Sequence, residues 1–188
     1  YIESISQQTQ AIREWEIRQI HNLILRKIAP DEAGCYRSLD VQAAGTEYRY
    51  PPHYLLSELM DEFDRWLNSD AVQALHPVLY AAEAHYRFVS IHPFRDGNGR
   101  TGRLLMNLLL LKAGYPIAII STQNRQQYIE SLASGQQFQD WERFYSLILE
   151  AVEMALIEVL SILVTAADSP QKETTIYREL VDFLQDRG

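Results

Sequence analysis

The stretch HPFRDGNGRTGR, residues 92–103, decides how this chain is interpreted. It holds a histidine, a carboxylate, an asparagine, three glycines and three arginines in one short segment. Neither a core helix nor an ordinary surface loop needs that mixture of side chains. A segment that is apolar almost all round follows at residues 104–114. The sequence therefore predicts a functional turn that leads into a central helix.

The turn Gly97-Asn98-Gly99 has the features of an anion-binding site. Glycine and asparagine adopt positive φ more readily than other residues, so successive N–H groups can converge on one point. The helix that follows directs its partial positive charge at the same point. Arg100 and Arg103 lie three positions apart on one helical face, and arginine forks match phosphate oxygens. A Gly-Asn-Gly turn alone would indicate only a helix cap, but this combination predicts phosphate binding.

His92 and Asp96 supply the remaining groups for phosphoryl chemistry. A carboxylate beside a phosphate site repels the ligand unless a cation lies between them, so Asp96 implies Mg²⁺. His92 can act as a base near neutral pH. Phe94, between them, is predicted to anchor the turn in the core. The segment thus predicts an enzyme that handles phosphate-containing groups.

Two other glycine-rich loops were weighed against this interpretation. Gly97, Gly99 and Gly102 spell G-x-G-x-x-G, which in a dinucleotide-binding loop follows a strand and precedes an acidic residue about twenty positions on. Residues 86–91 could form the strand, but no Asp or Glu occurs between Asp96 and Glu130. The chain has no βαβ alternation and no G-x-x-x-x-G-K-[ST] loop. The sequence argues against both nucleotide folds.

Apolar periodicity predicts a nearly all-α chain. Helices are expected at 8–28, 55–68, from Asp70 or Pro77 to the motif, and at 104–114, 124–134, 141–167 and about 174–186. Two extended segments around Ala44-Gly45, closed by Pro51-Pro52, predict a short β-hairpin over roughly 39–54. The apolar segment 155–167 contains Glu158 and is too short to span a bilayer, so we expect a helix that is packed or forms a homodimer.

Composition limits the kinds of partner that we expect the chain to bind. The 188 residues, 47% hydrophobic and 22% charged, fit one globular domain with a sizeable core. The net charge of −8 disfavours nucleic acid as the main partner. Cys35 is the only cysteine, which favours a reducing compartment, and with no recognisable signal peptide we expect a cytoplasmic protein. The other histidines have no ligand spacing to one another or to Cys35, so zinc is not expected: His21, His53, His76 and His85.

The motif matches H-x-F-x-[DE]-G-N-G-R-x-x-R at every defined position, and the chain therefore resembles the Fic/Doc (Fido) family. The similarity extends over roughly residues 10–165, including IREWEIRQIHNLIL, the GCYR that precedes the hairpin, and HPVLYAAEAHYRFVSIHPF. The resemblance implies an all-α Fic-type helical bundle at 1–168, in which the hairpin serves as a flap. Residues 169–188 would form a C-terminal helix with a candidate regulatory role.

The resemblance implies a Mg²⁺-dependent protein adenylyltransferase, which transfers AMP from ATP to a Ser, Thr or Tyr hydroxyl of a protein target. By motif position, His92 would deprotonate the hydroxyl and Asp96 would hold Mg²⁺. The anion hole would comprise Gly97, Asn98 with its side-chain amide, and Gly99, while Arg100 and Arg103 grip the phosphate tail. The flap residues Val41, Tyr48 and Tyr50 would register the target by strand-like pairing. Tyr128 falls near the family's adenine pocket, with a core tyrosine as the alternative.

The family leaves the reaction and its regulation open. Members transfer other phosphate-containing groups or remove AMP, and a nucleotide-sensing module without turnover is a further alternative. Many members are restrained by a helix with [ST]-x-x-x-E-[GN], whose glutamate pairs with the motif's second arginine, here Arg103. Nothing in residues 1–30 fits that pattern. TIYREL (175–180) supplies Glu179 as an inhibitory candidate, although Leu180 departs from the pattern and a plain surface glutamate is the alternative.

Overall fold

The computed structural model describes residues 11–42 and 48–167, and the regular elements of these residues are all helical. In chain order they are α1 Glu14–Leu25, α2 Leu56–Leu67, α3 Asp70–Gln73, α4 Pro77–Ile91, α5 Asn98–Lys112, α6 Arg125–Phe138 and α7 Glu142–Ala167, with one 3₁₀ turn, His53–Leu55, before α2. The predicted all-α class is confirmed. Both alternative starts of the third predicted helix occur, because α3 begins at Asp70 and α4 at Pro77.

Helix α5 is the centre of the bundle. It packs most extensively on α4, and α1 packs on it as well. Its buried leucines and methionine form the middle of the core, as the apolar sequence predicted: Leu105, Met106, Leu108, Leu109 and Leu110. The helix begins at Asn98, six positions before the apolar segment 104–114, and includes Arg100 and Arg103, which were expected to share one of its faces. Gly97, with a φ of 81°, turns the chain just before that start, so the motif's arginines lie on the helix itself.

The flap differs from its prediction. In its described arms, 39–42 and 48–54, no residue is in a strand, and the tip at 43–47 lies outside the described residues. The β-hairpin therefore stays a prediction. The arms do approach each other, since Gln42 Nε2 donates to the Tyr48 carbonyl at 3.1 Å. The predicted C-terminal helix and Glu179 also lie outside the described residues.

Helix α7 changes character along its length. Its first half packs on α4 and α6 and is buried as far as Val152. Beyond that point large apolar side chains are more than half exposed: Met154, Ile157, Leu160, Ile162 and Val164. We expected this segment either to pack or to form a homodimer. Its second half does not pack against the rest of the described chain. Within residues 11–42 and 48–167, no helix has the length and apolarity to cross a membrane.

Candidate active site

His92 lies directly after α4, where it caps the helix in the left-handed conformation with a φ of 53°. Its Nδ1 lies 3.2 Å from the Val89 carbonyl. Because a carbonyl oxygen can only accept, Nδ1 carries the proton and Nε2 is left with its lone pair. Burial lowers the pKa of His92 to about 4, so the ring is neutral at physiological pH.

Phe94 anchors the turn, as predicted. Its side chain is fully buried, and the ring of His21 stacks on it at 3.6 Å between centroids. The Asn98 side chain holds the Phe94 main chain from both sides: Phe94 N–H donates to Oδ1 at 2.9 Å, and Nδ2 donates to the Phe94 carbonyl at 2.8 Å. The buried Asn98 amide thus has a structural role in the turn, and its expected part in an anion hole stays a prediction.

The anion site is built differently from the predicted nest of three residues. Of Gly97, Asn98 and Gly99, only Gly97 has positive φ, and its N–H donates to Asp96 Oδ1 at 2.6 Å. Asn98 and Gly99 belong to the first turn of α5, which no side chain caps. The N–H groups of this first turn, which no side chain caps, have the geometry that suits an anion.

Asp96 offers one carboxylate at the edge of the cleft, and its side chain is 70% exposed. Its Oδ2 accepts from Arg100 Nη2 at 3.0 Å. Across the described ranges, no group of three or more His, Cys, Asp or Glu side chains could hold a metal ion by itself. A single exposed carboxylate still fits Mg²⁺, which commonly takes one or two carboxylates together with substrate phosphates.

Arg103 extends along the cleft one helical turn beyond Arg100. Its guanidinium lies 5.9 Å from the centre of the Tyr128 ring. In the part of the chain that the structure describes, Arg103 forms no ion pair with a carboxylate. An anionic ligand would therefore meet a guanidinium that no acidic residue within 11–42 or 48–167 neutralises.

These groups share a cleft of about 650 Å³. His92, Asp96, Arg100 and Arg103 all line it. The far wall comes from the loop before α6 and one face of that helix: Ile120, Ser121, Thr122, Arg125, Ile129, Leu132, Ala133 and Gln136. The sequence interpretation missed this wall, although the spacing 125, 129, 132, 136 follows one helical face.

The three flap candidates divide between two hollows. Val41 and Tyr50 line the main cleft, and the Tyr50 ring lies 4.0 Å from that of His92. Tyr48 instead lines a neighbouring hollow of about 470 Å³ beside Trp66, Tyr86 and Trp141. Only two of the three predicted flap residues therefore line the cleft that contains His92.

Tyr128 lies between the core and the cleft, and its adenine role stays a prediction. It belongs to the core, being 7% exposed, and it also lines the cleft. Its hydroxyl lies 2.7 Å from Nε2 of His85, which is fully buried. Burial lowers the pKa of His85 to about 4, so this pair is neutral at physiological pH.

Two residues that the sequence interpretation treated as ordinary support the turn from a distance. His21 accepts the Gly34 N–H on Nδ1 at 2.9 Å, so its Nε2 carries the proton and donates to the Asp96 carbonyl at 3.0 Å. Burial lowers the pKa of His21, which favours this neutral form. Arg37 donates to the His92 carbonyl at 2.9 Å. Neither residue carries a local sequence signal, because both contacts span more than fifty positions.

The chain was compared with known protein families and curated proteins. The model of the Fic/DOC family matches residues 11–110. The protein adenylyltransferase Fic of Drosophila grimshawi is 44% identical over 141 residues, which cover 75% of this chain and 29% of that protein. Its counterpart in Aedes aegypti is 44% identical over 141 residues, covering 75% and 28%. The chain thus spans less than a third of the length of these relatives.

Solved structures have the same architecture. Fic-1 from C. elegans superposes with a TM-score of 0.76 at 31% identity, covering 82% of this chain and 45% of that one. A Fic domain containing signaling protein from Bacteroides thetaiotaomicron has a TM-score of 0.68 at 29% identity, covering 82% and 67%. Since the family model also spans more than half of the sequence, the chain belongs to the Fic/DOC family.

Proposed function

We propose that this chain is a protein adenylyltransferase, which transfers AMP from ATP to a Ser, Thr or Tyr hydroxyl of a target protein. One observation carries the proposal: a neutral histidine, a carboxylate, an open helix N-terminus and two arginines line a single cleft. The name of the relatives from Drosophila grimshawi and Aedes aegypti supports the same activity.

In the proposed reaction, the target hydroxyl oxygen attacks the α-phosphorus of ATP. The bond from that phosphorus to the oxygen bridging to the β-phosphate breaks, and pyrophosphate leaves. The hydroxyl proton passes to Nε2 of His92, whose lone pair is free because Nδ1 donates to the Val89 carbonyl. A pKa near 4 makes His92 a weak base in the empty cleft, and a polyanionic nucleotide beside the ring raises that pKa.

Phosphate binding in this proposal falls to α5. The N–H groups of its first turn would bind the transferred phosphate, and Arg103 would pair with the phosphate tail. Arg100 would exchange its Asp96 partner for a phosphate oxygen. In such transfers, positioning and preorganised charge supply most of the rate.

Asp96 would hold Mg²⁺ beside the bound phosphates, as one carboxylate of a site completed by ATP. The ion, when bound, would neutralise charge that develops on the phosphate oxygens. The contact of Asp96 Oδ1 with the Gly97 N–H keeps the carboxylate at the mouth of the cleft.

For the protein target, the flap arms beside His92 offer the docking edge. Tyr50 lies against His92, so a target segment paired along this arm would bring its hydroxyl to the base. Tyr128 lies next to Arg103 and is the candidate for the adenine wall. The exposed apolar half of α7 is the candidate surface for a homodimer. We expect action in the cytoplasm, with neither nucleic acid nor membrane as a partner, and Glu179 stays an inhibitory candidate.

The test is incubation of the purified chain with Mg²⁺, a host lysate and ATP labelled at either the α- or the γ-phosphate. AMP transfer requires that α-label, and not γ-label, appears on protein hydroxyls. Mass spectrometry then identifies the target and the residue. Retention of γ-label would replace the proposal with phosphoryl transfer. Loss of label from a target already carrying AMP would indicate the reverse reaction, and ATP binding without any transfer would indicate a nucleotide-sensing module.

A further inference from the structure

A single buried arginine, Arg37, connects the catalytic turn to both ends of the flap. Its side chain is 1% exposed, although it carries a permanent positive charge. The guanidinium donates from Nε to the His92 carbonyl at 2.9 Å, from Nη1 to the Leu39 carbonyl at 3.0 Å and from Nη2 to the Pro51 carbonyl at 2.5 Å. The three acceptors belong to three separate stretches of backbone.

Arg37 contacts the flap at the two ends of the flap segment, which we call its feet. Leu39 begins the flap segment 39–54, and Pro51 lies near its end. Asp40 also links the two ends of the flap. Its Oδ1 accepts from the His53 N–H at 2.8 Å and lies 3.0 Å from His53 Nδ1. Arg37 and Asp40 therefore set the separation of the arms at their origin.

On the other side, Arg37 holds the backbone of the catalytic residue. Its own N–H donates to the Pro93 carbonyl at 2.9 Å, next to the Nε bond with His92. These bonds meet the chain where His92 is in the left-handed conformation, which an L-residue adopts at a cost. The planar guanidinium fork is what lets one side chain reach three carbonyls in fixed directions, and a lysine ammonium lacks that geometry.

We propose that Arg37 is the positioning residue that fixes the flap relative to His92, and so sets where a target hydroxyl arrives. Arg37 does not line the cleft, and no described contact joins it to Arg100 or Arg103. Its loss should therefore misplace the flap without weakening ATP binding. The consequence for transfer rests on the proposed function, in which the flap receives the target.

The first experiment compares hydrogen exchange by mass spectrometry in the native chain, Arg37→Lys and Arg37→Gln. We expect faster exchange in peptides covering 38–42 and 48–54, with α4 and α5 unchanged. Arg18→Lys is the control, because the Arg18 guanidinium also donates to the backbone, at the Gly34 carbonyl, but reaches neither flap foot. Unchanged flap exchange in both Arg37 variants overturns the proposal.

Activity and nucleotide affinity provide the second readout. Calorimetry should show ATP affinity within about twofold of native in Arg37→Lys, while transfer to a protein falls about a hundredfold, the loss typical of a misplacement near 1 Å. Native transfer despite a loosened flap overturns the positioning role alone. Absence of transfer in the native chain refutes the proposed function, and the exchange comparison still decides whether Arg37 holds the flap.

A measurement on the native chain covers the case in which the Arg37 variants do not fold. By NMR, the Nε–H of Arg37 should exchange slowly, at a rate close to that of the His53 amide, since both depend on the closed flap base. The Nε–H of Arg95, whose side chain is 70% exposed, provides the fast reference. An Arg37 signal that exchanges as fast as that of Arg95 overturns the proposal.

Discussion

The turn at residues 92–98 and the described flap arms, 39–42 and 48–54, border the same cleft but are held in different ways. In the turn, side chains hydrogen-bond to the main chain at three residues. Asn98 bonds to Phe94, His21 to Asp96, and the Asp96 carboxylate to Gly97. In the described arms of the flap, the bonds concentrate at the feet, on Arg37 and Asp40. The turn is thus preorganised residue by residue, whereas the flap depends on the anchoring of its base.

This difference separates two tasks within one motif. Phe94 and Asn98 build the turn and are buried, while Asp96, Arg100 and Arg103 present charge to the cleft. A rigid turn keeps these charges in place before a ligand arrives, which is how preorganised sites avoid reorganisation during a reaction. The flap has to accept a protein segment whose sequence varies, so anchoring only its base suits that task.

The largest expected effect is on the chemistry of the turn. His92→Asn removes the base but keeps a residue that tolerates the left-handed conformation. We expect AMP transfer to fall about a thousandfold, with ATP affinity within about twofold of native. His76→Asn, at an exposed position outside the cleft, is the matched control and should transfer normally. Transfer by His92→Asn at the native rate would remove His92 from the role of base.

The second prediction compares two side-chain amides that bond to the backbone, one in each region. Asn98→Ala leaves the buried N–H and C=O of Phe94 without partners and should lower the free energy of unfolding by about 3 kcal/mol. Gln42→Ala removes an exposed bond in the flap and should cost less than about 0.5 kcal/mol. Urea unfolding followed by circular dichroism measures both. Equal losses would mean that the flap and the turn are held alike.

The success of the sequence prediction in each region depends on how far apart in the sequence the contacting residues lie. His92, Asp96, Arg100 and Arg103 lie within twelve positions, so turn and helix geometry alone brings them together. The structural role of Asn98 was not predicted, because its burial depends on α1 packing over the turn through His21 and Phe94. Arg37 was missed because its acceptors lie at 39, 51 and 92, and no local pattern relates those positions.

The helices were predicted more successfully than their ends or the flap. Strong apolar periodicity identified α2, since its face with Leu56, Phe63 and Leu67 packs in the core. The apolar pattern alone marks only residues 104–114 of α5, because Gly99 and Gly102 before them are poor helix formers. Gly102 has a tertiary reason: a Cβ there would lie 2.7 Å from Nδ1 of the buried His85.

The third prediction tests which flap residue belongs to the site. Tyr50→Ala removes the ring packed on His92 and should reduce transfer to a protein target about tenfold, the scale of one aromatic contact. Tyr48→Ala changes the neighbouring hollow and should alter transfer less than about twofold. Steady-state kinetics at varied target concentration measures both variants. A larger loss for Tyr48 would move the docking edge to the aromatic hollow beside Trp66.

The smallest expected effect is a pH dependence that stays nearly flat. Burial holds the pKa of His92 near 4, so its neutral form persists as the pH falls through 6.5, where an unshifted histidine would gain a proton. The kcat/KM for transfer reports the free enzyme and should change less than about twofold between pH 7 and 5.5. An unshifted base would lose about tenfold over that range, since its neutral fraction falls to roughly a tenth at one pH unit below its pKa.

The pH series stops at 5.5 because the folded chain becomes less stable as the pH is lowered further, although transfer by the folded chain should stay nearly constant. The pKa values of His85 and His92 are both lowered to about 4 in the folded chain, so the unfolded state binds protons first as the pH falls below 6.5. The free energy of unfolding should therefore decline between pH 6.5 and 4, and circular dichroism at each pH separates unfolding from lost catalysis. If transfer falls tenfold at pH 5.5 while the chain remains folded, the turn does not shield His92 from water, and the contrast between a preorganised turn and a base-anchored flap fails at its central residue.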